Sequence, residues 1–236
     1  MSHEIKLHTA QTSILRELLF HPTASYGSLQ KPTGLSSDHF AFHIGRLVEL
    51  KLVEKVARGD YKLTLFGKEY ANRLDTDNHT VERQPKSAVI LAVERDHNGT
   101  REFLFQERLK NPYYGFWGLA TGKIRWGESI EETAARELME EAGLIATWHV
   151  AGVYHERVTH VSSEEYIEDK IFFVAHGTNP QGDLLVDFEG GHNEWLTHDE
   201  AMRKSKKFQS FATELDIIDS KQWFFETTIE YGESEF

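Results

Sequence analysis

Apolar residues open the chain at helical spacing. Ile14, Leu15, Leu18 and Leu19 predict a first helix. A short second element over residues 25–31 is expected to stop at Pro32 and Gly34. A third helix begins at Ser36 or Ser37, both good N-caps, with Phe40, Ile44, Leu47, Val48 and Leu50 on its apolar side. Two strand-like runs, 52–57 and 61–65, follow, with Arg58, Gly59 and Asp60 as a hairpin turn, and residues 67–74 predict a closing helix. After a polar stretch containing Pro85, the pattern changes. SAVILAVE (87–94) and REFLFQE (101–107) predict strands joined by a turn at Asp96-His97-Asn98-Gly99. Further strands are expected over 150–156, 170–176 and 193–196, helices over 199–207 and 211–225, and a fraying acidic end, EYGESEF. The expected organisation is a first module over 1–76, a linker over 77–86 and a second module over 87–236. The fold class is mixed α/β (α+β).

One further helix carries the candidate chemistry. Ser129-x-x-Glu132 is a capping box, so a helix starts there, and Gly143 sits where a glycine would end it. Glu137, Glu140 and Glu141 are three and four residues apart, which places three carboxylates on one face. They repel one another unless a cation is bound. All-oxygen ligands suit a hard divalent ion, Mg²⁺ first and Mn²⁺ second. Such an ion bridges phosphate oxygens and lowers the pKa of a bound water, the two things phosphoryl transfer most needs.

The stretch around this helix has the spacing G-x5-E-x7-R-E-U-x-E-E-x-G-U, where U is aliphatic. Its fixed positions are Gly122, Glu128, Arg136, Glu137, Leu138, Glu140, Glu141, Gly143 and Leu144. With every position present, the chain resembles the Nudix family, which hydrolyses nucleoside diphosphates linked to another group. The resemblance implies an α/β/α sandwich with a mixed sheet. It implies Glu137, Glu140 and Glu141 as metal ligands, one of them open as the base, with the Gly122 carbonyl as a further ligand. Arg136 and Glu128 would pair and hold the loop to the helix. A basic residue where Arg108 stands often meets substrate phosphate in the family, and Lys123 and Arg125 are further candidates. A later acid, Glu189 in the stretch DFEGGHNEW, is expected to add a ligand or base, in competition with Glu164, Glu165, Glu168 and Asp169. Many members carry Pro-Gly-Gly before the box, whereas this chain has Ala120-Thr121-Gly122. Of Tyr113, Tyr114, Phe116, Trp117 and Trp126, at least two are expected in the core, with one free to stack a nucleobase.

The first module, three helices, a hairpin and a helix, resembles the winged helix-turn-helix fold over roughly residues 8–75. Ser37, His39, Arg46 and Arg58 would be its DNA-facing side chains. Residues 1–75 hold ten basic and eight acidic residues, a net of +2, short of a strongly basic DNA-binding domain. Dimerisation or covering of substrate is the alternative role for this module. The other residues carry 26 − 10 = 16 basic and 38 − 8 = 30 acidic side chains, a net of −14 that repels nucleic acid.

Composition narrows the compartment and the chemistry. At 39% hydrophobic and 27% charged, the chain has an ordinary globular balance. With no apolar run near the ~20 residues of a membrane span and no signal-like start, a cytoplasmic protein without a membrane partner is expected. No cysteine is present, which excludes disulfides and thiolate chemistry. The sequence thus points to a metal-dependent pyrophosphohydrolase acting on a nucleotide, expected as a homodimer. The alternative is a nucleotide-sensing transcription regulator that binds double-stranded DNA through its first module.

Overall fold

The structure is a computed structural model and describes residues 7–56, 59–73, 84–162, 165–220 and 222–232. Two compact units divide the chain, Met1–Arg83 and Gln84–Phe236. Arg58, Glu164, residues 77–83 of the expected linker and residues 233–236 lie outside the described residues.

In the first unit, α1 (Thr9–Phe20), β1 (Ala24–Ser25), α2 (Tyr26–Gln30), α3 (Ser37–Glu49), β2 (Val53–Lys55), β3 (Asp60–Leu63) and α4 (Leu65–Ala71) follow one another. The three strands form an antiparallel sheet in the order β1-β3-β2. Ile14, Leu15, Leu29, Phe40, Leu47 and Leu52 are fully enclosed in a core of its own. Val48, expected on the apolar side of α3, is instead exposed. The closing helix starts at Leu65, earlier than expected, because the Thr64 hydroxyl caps it by accepting the Gly67 N–H at 2.8 Å.

The second unit is built on an eight-stranded mixed sheet in the order β11-β7-β8-β4-β6-β5-β10-β9. Its strands are β4 (Lys86–His97), β5 (Thr100–Arg108), β6 (Trp117–Lys123), β7 (Ile145–His160), β8 (Tyr166–Gln181), β9 (Asp187–Phe188), β10 (Gly191–Leu196) and β11 (Phe224–Tyr231). β4 pairs in parallel with β8, and β11 with β7; the other pairs are antiparallel. The apolar run in β4 is explained by burial on both faces. Ala88, Ile90 and Ala92 face a core shared with α6 (His198–Met202) and α7 (Phe211–Asp219). Val89, Leu91 and Val93 face a second core under α5 (Ile130–Ala142), which contributes Ala134, Leu138 and Ala142 at i, i+4, i+8. Helices thus cover both faces of the sheet. Among the described residues, no helix is long and apolar enough to cross a membrane.

Several elements differ from the sequence expectations. The strands expected over 150–156 and 170–176 extend to the full lengths of β7 and β8. Irregularities between Ile145 and Thr147, Val150 and Gly152, and Val158 and Thr159 break the alternation that would reveal them. The turn after β4 is only Asn98-Gly99, both at positive φ, and β4 runs on to His97. The helix expected over 199–207 ends at Met202, and the main chain after it pairs Lys207 with Trp117. The helix expected over 211–225 ends at Asp219, and Phe224–Tyr231 is the edge strand β11; most of the end expected to fray lies outside the described residues. Alternation within FFETTIEY, with Ile229 and Tyr231 buried, fits that strand.

Candidate active site

The loop and helix carrying the acids are fixed at both ends. Ser129 caps α5: its hydroxyl accepts the Glu132 N–H at 3.2 Å, and the Glu132 carboxylate accepts the Ser129 N–H at 2.8 Å. Gly143 closes the helix at φ 68. Arg136 ties the preceding loop down. Its Nε and a terminal nitrogen donate to the two oxygens of Glu128 at 2.7 and 2.9 Å, a bidentate pair, and it also donates to the Lys123 carbonyl at 3.1 Å. Thr133 Oγ1 donates to the same Glu128 carboxylate at 2.9 Å. The Arg136 hydrogen bonds hold the Glu128 pKa down at about 2.

The second terminal nitrogen of Arg136 donates to Glu137 at 2.7 Å and to Glu140 at 3.3 Å. Arg125 lies 3.5 Å from Glu140. Glu128, Arg136, Glu137, Glu140 and Arg125 therefore form one network. Gly122, at the end of β6, lies directly beneath Glu137. A Cβ there would overlap Glu137 Cγ and sit 2.5 Å from its carboxyl carbon and 2.8 Å from Oε1. The glycine is required because backbone and carboxylate meet.

Glu141 faces a different set. Gln106 Nε2 donates to its Oε2 at 3.0 Å, and Lys110 Nζ lies 3.9 Å from Oε1. Burial raises its pKa, opposed by Gln106 and Lys110. Arg108 closes β5 but spends Nε on the Pro112 carbonyl at 2.6 Å, bracing the loop after it. Its charge still acts on Glu141 and Glu168. Lys123 has an exposed side chain at the start of the box loop. Glu189 is exposed on the turn between β9 and β10. Tyr113 and Phe116 are core residues, whereas Tyr114 is exposed and Trp126, at 94%, almost fully so. Of the rivals to Glu189, Glu168 is buried against Tyr113, whose hydroxyl donates to it at 2.8 Å, and Asp169 pairs with His155 at 2.8 Å. On the first unit, Ser37, His39 and Arg46 are exposed on α3, and Arg46 pairs with Glu49 at 2.9 Å.

Oxygen donors on one helix face, with a glycine backbone pressed against Glu137, suit a hard cation. Among the described residues, no three His, Asp or Glu side chains already converge as a closed ligand cluster; Arg136 and Arg125 neutralise Glu137 and Glu140 instead. Gln106, Asn193 and Lys110, which touch Glu141, were not singled out by the sequence. Gln106 and Asn193 alternate in phase with Leu104 and Trp195, which pack toward α5, and a polar residue in such a phase is the signal that was available.

A mixed sheet lies between helices, and the acid-rich helix is capped at Ser129 and clamped to its preceding loop by Arg136. The NUDIX domain model matches residues 84–215, and the chain belongs to the Nudix family. An ADP-ribose pyrophosphatase of Methanocaldococcus jannaschii is 34% identical over 89 residues, 36% of this chain and 50% of that protein. An oxidized purine nucleoside triphosphate hydrolase of Mus musculus is 38% identical over 74 residues, 30% of this chain and 46% of that protein. The chain thus spans about half the length of the curated relatives it matches. Among solved structures, a MutT protein from Bacillus halodurans superposes with a TM-score of 0.51 at 22% identity, over 64% of this chain and 93% of that one. The NUDIX domain of Shewanella oneidensis NrtR, complexed with ADP ribose, gives 0.52 at 16% identity, over 66% of this chain and 97% of that one.

Proposed function

We propose that the protein is a divalent-metal-dependent pyrophosphohydrolase that cleaves the P–O–P bridge of a nucleoside diphosphate linked to another moiety. The observation that carries this reading is the Glu128–Arg136–Glu137–Glu140 network with Glu141 set apart from it. Glu137, Glu140 and Glu141, with the Gly122 carbonyl, would hold the metal, Mg²⁺ by preference and Mn²⁺ as a substitute. When bound, the ion neutralises phosphate charge and acidifies a water. Arg136 and Glu128 keep the loop against the helix, so the acids are placed before substrate arrives. Arg125 and Lys123 lie in the box loop to receive phosphate oxygens, and Arg108 draws the substrate's negative charge toward Glu141. A water oxygen attacks one phosphorus as the bridging P–O bond breaks. The water's proton passes to a carboxylate, for which Glu141 and Glu189 are the candidates. The products are a nucleoside monophosphate and a phosphorylated remainder, or pyrophosphate.

ADP-ribose heads the substrate panel because one curated relative is named for it. Oxidised nucleoside triphosphates follow, then dinucleoside polyphosphates and nucleotide sugars. Wild type and Glu141→Gln are to be compared across the panel with Mg²⁺. We expect one nucleotide to be cut efficiently and turnover to drop roughly 100-fold or more in the variant, with the fold intact. A fully active variant would remove Glu141 from the mechanism.

A second reading, a nucleotide-sensing regulator, is favoured by the first unit, which has its own core and presents Ser37, His39 and Arg46 on α3. It requires salt-dependent, sequence-selective binding of duplex DNA, coupled reciprocally to nucleotide binding. Tight nucleotide binding without turnover, together with such DNA binding, would select it.

A further inference from the structure

Two amides outside the box hold Glu141 from behind. Asn193 on β10 stands directly opposite Gln106 on β5. It is buried, at 2% exposure. Its Nδ2 donates to the backbone carbonyl of Glu141 at 2.7 Å and to that of Leu185 at 2.8 Å. Both partners only accept, so the amide cannot be turned over, and its Oδ1 must face Gln106. Gln106 Nε2 donates to that oxygen at 3.3 Å. Gln106 is thereby fixed in turn, with its nitrogen forward. The other hydrogen of the same NH₂ goes to Glu141 Oε2 at 3.0 Å. The last acid of the helix is thus gripped twice, at its carbonyl by Asn193 and at its carboxylate by Gln106.

We propose that Asn193 and Gln106 are positioning residues for the Glu141 carboxylate, an inference that rests on the metal-dependent hydrolysis proposed above. Two carbonyls set the Asn193 amide, Asn193 sets Gln106, and Gln106 occupies one side of Oε2. The carboxylate torsion is then fixed, with Oε1, which has only Lys110 Nζ at 3.9 Å beside it, turned to the metal or the attacking water. Outer partners of this kind orient ligands that would otherwise have to be ordered on binding. Both residues come from strands rather than loops, so the setting is rigid.

Gln106→Met keeps the side-chain length and removes the donor. Its kcat and KM are to be measured on the nucleotide cut best by wild type. Mn²⁺ affinity is measured separately by electron paramagnetic resonance without nucleotide, and thermal melting reports the fold. We expect kcat and Mn²⁺ affinity each to fall ~10-fold or more, with KM for the nucleotide changed by less than about twofold. In a Glu141→Gln background the same substitution should add nothing, because both changes act through one carboxylate. If Gln106→Met does not fold, Gln106→Asn, too short to reach Glu141, takes its place. Wild-type kcat and Mn²⁺ affinity in a folded variant would overturn the proposal and leave the hydrolase reading standing. An equal loss in the Glu141→Gln background would also overturn it, by showing a purely structural role. A wild type that neither hydrolyses any nucleotide nor binds Mn²⁺ would overturn the hydrolase reading and this inference together.

Discussion

Gly122 has no room for a methyl group, because the space where a Cβ would lie is filled by Glu137. Gly122→Ala must displace either the β6 backbone or the carboxylate. We expect a stability loss of about 1–3 kcal/mol from the overpacking. We also expect a fall of roughly 100-fold in kcat from a misplacement near 1 Å, read from denaturant melts and steady-state rates side by side. An active, stable alanine variant would mean that Glu137 need not lie against that backbone. Residues like this one were legible because the box is local: Gly122, Glu128, Arg136 and the three glutamates lie within 20 residues, and helical geometry alone puts the acids together. Gln106 and Asn193 were not legible. They reach Glu141 across 35 and 52 residues of chain, through a strand pairing that no local spacing encodes. The same limit applies to Arg108, whose position was readable but whose hydrogen bond to Pro112 was not.

At the scale of elements, β4 and α5 could be read directly because one physical cause dominated each. The middle of β4, residues 88–93, is buried on both faces and so is apolar without a break, and α5 carries its own cap and stop. Irregular pairing shifts the alternation and hides the full lengths of β7 and β8, whereas β11, rich in Phe, Thr, Ile and Tyr, carries strand propensity and alternation of its own that the acidic residues at the chain end obscure. Eight residues of β11 pair with β7, and Ile229 and Tyr231 complete a small core with Tyr113, Phe116 and Val158. A chain ending at residue 223 should therefore lose cooperative melting, which circular dichroism would show; an unchanged melt would make β11 dispensable. In α5, Leu138→Ala should cost about 2–5 kcal/mol, because Leu138 is buried at the centre of the core between helix and sheet. α7 supplies a pH-dependent term. Burial raises the Glu214 carboxyl from its ordinary 4.5 to about 8, with Glu156 nearby adding to the shift and a Ser210 hydrogen bond opposing it. A raised acid pKa means that the unfolded chain gives up its proton first. Folding then becomes less favourable as pH climbs from 4.5 toward 8, by at most about 1.4 kcal/mol per unit, and levels off above 8. Glu214→Gln should remove this term, so its stability advantage over wild type grows between pH 5 and pH 8. An advantage that does not change with pH would show that Glu214 is ionised in the fold.

For the whole molecule, the division of cores and charge leads to a separable prediction. The first unit encloses its own apolar cluster, while the site glutamates, Arg136, Gln106, Asn193 and the three cores around them lie in residues 84–236. In the sequence the expected division rests on the change of periodicity and on the contrast between a net of +2 in residues 1–75 and −14 in the remainder. It did not show what the first unit is for, because an exposed helix face with one fixed cation, Arg46, paired to Glu49, suits several partners. Expressed alone, residues 84–236 should fold and keep the kcat of the full chain within about twofold, since every group assigned to the chemistry is retained. The full chain and the fragment then differ only in what the first unit adds. If that unit binds DNA, the full chain alone should bind duplex, with an affinity that falls steeply between 50 and 200 mM salt, as phosphate contacts require. Arg46→Ala should reduce the salt slope by about one if Arg46 meets a phosphate. A fragment that folds but has lost turnover would place the first unit in the catalytic cycle, as a cover for substrate or a contact between copies, and would remove the case for reading it as a DNA-binding unit.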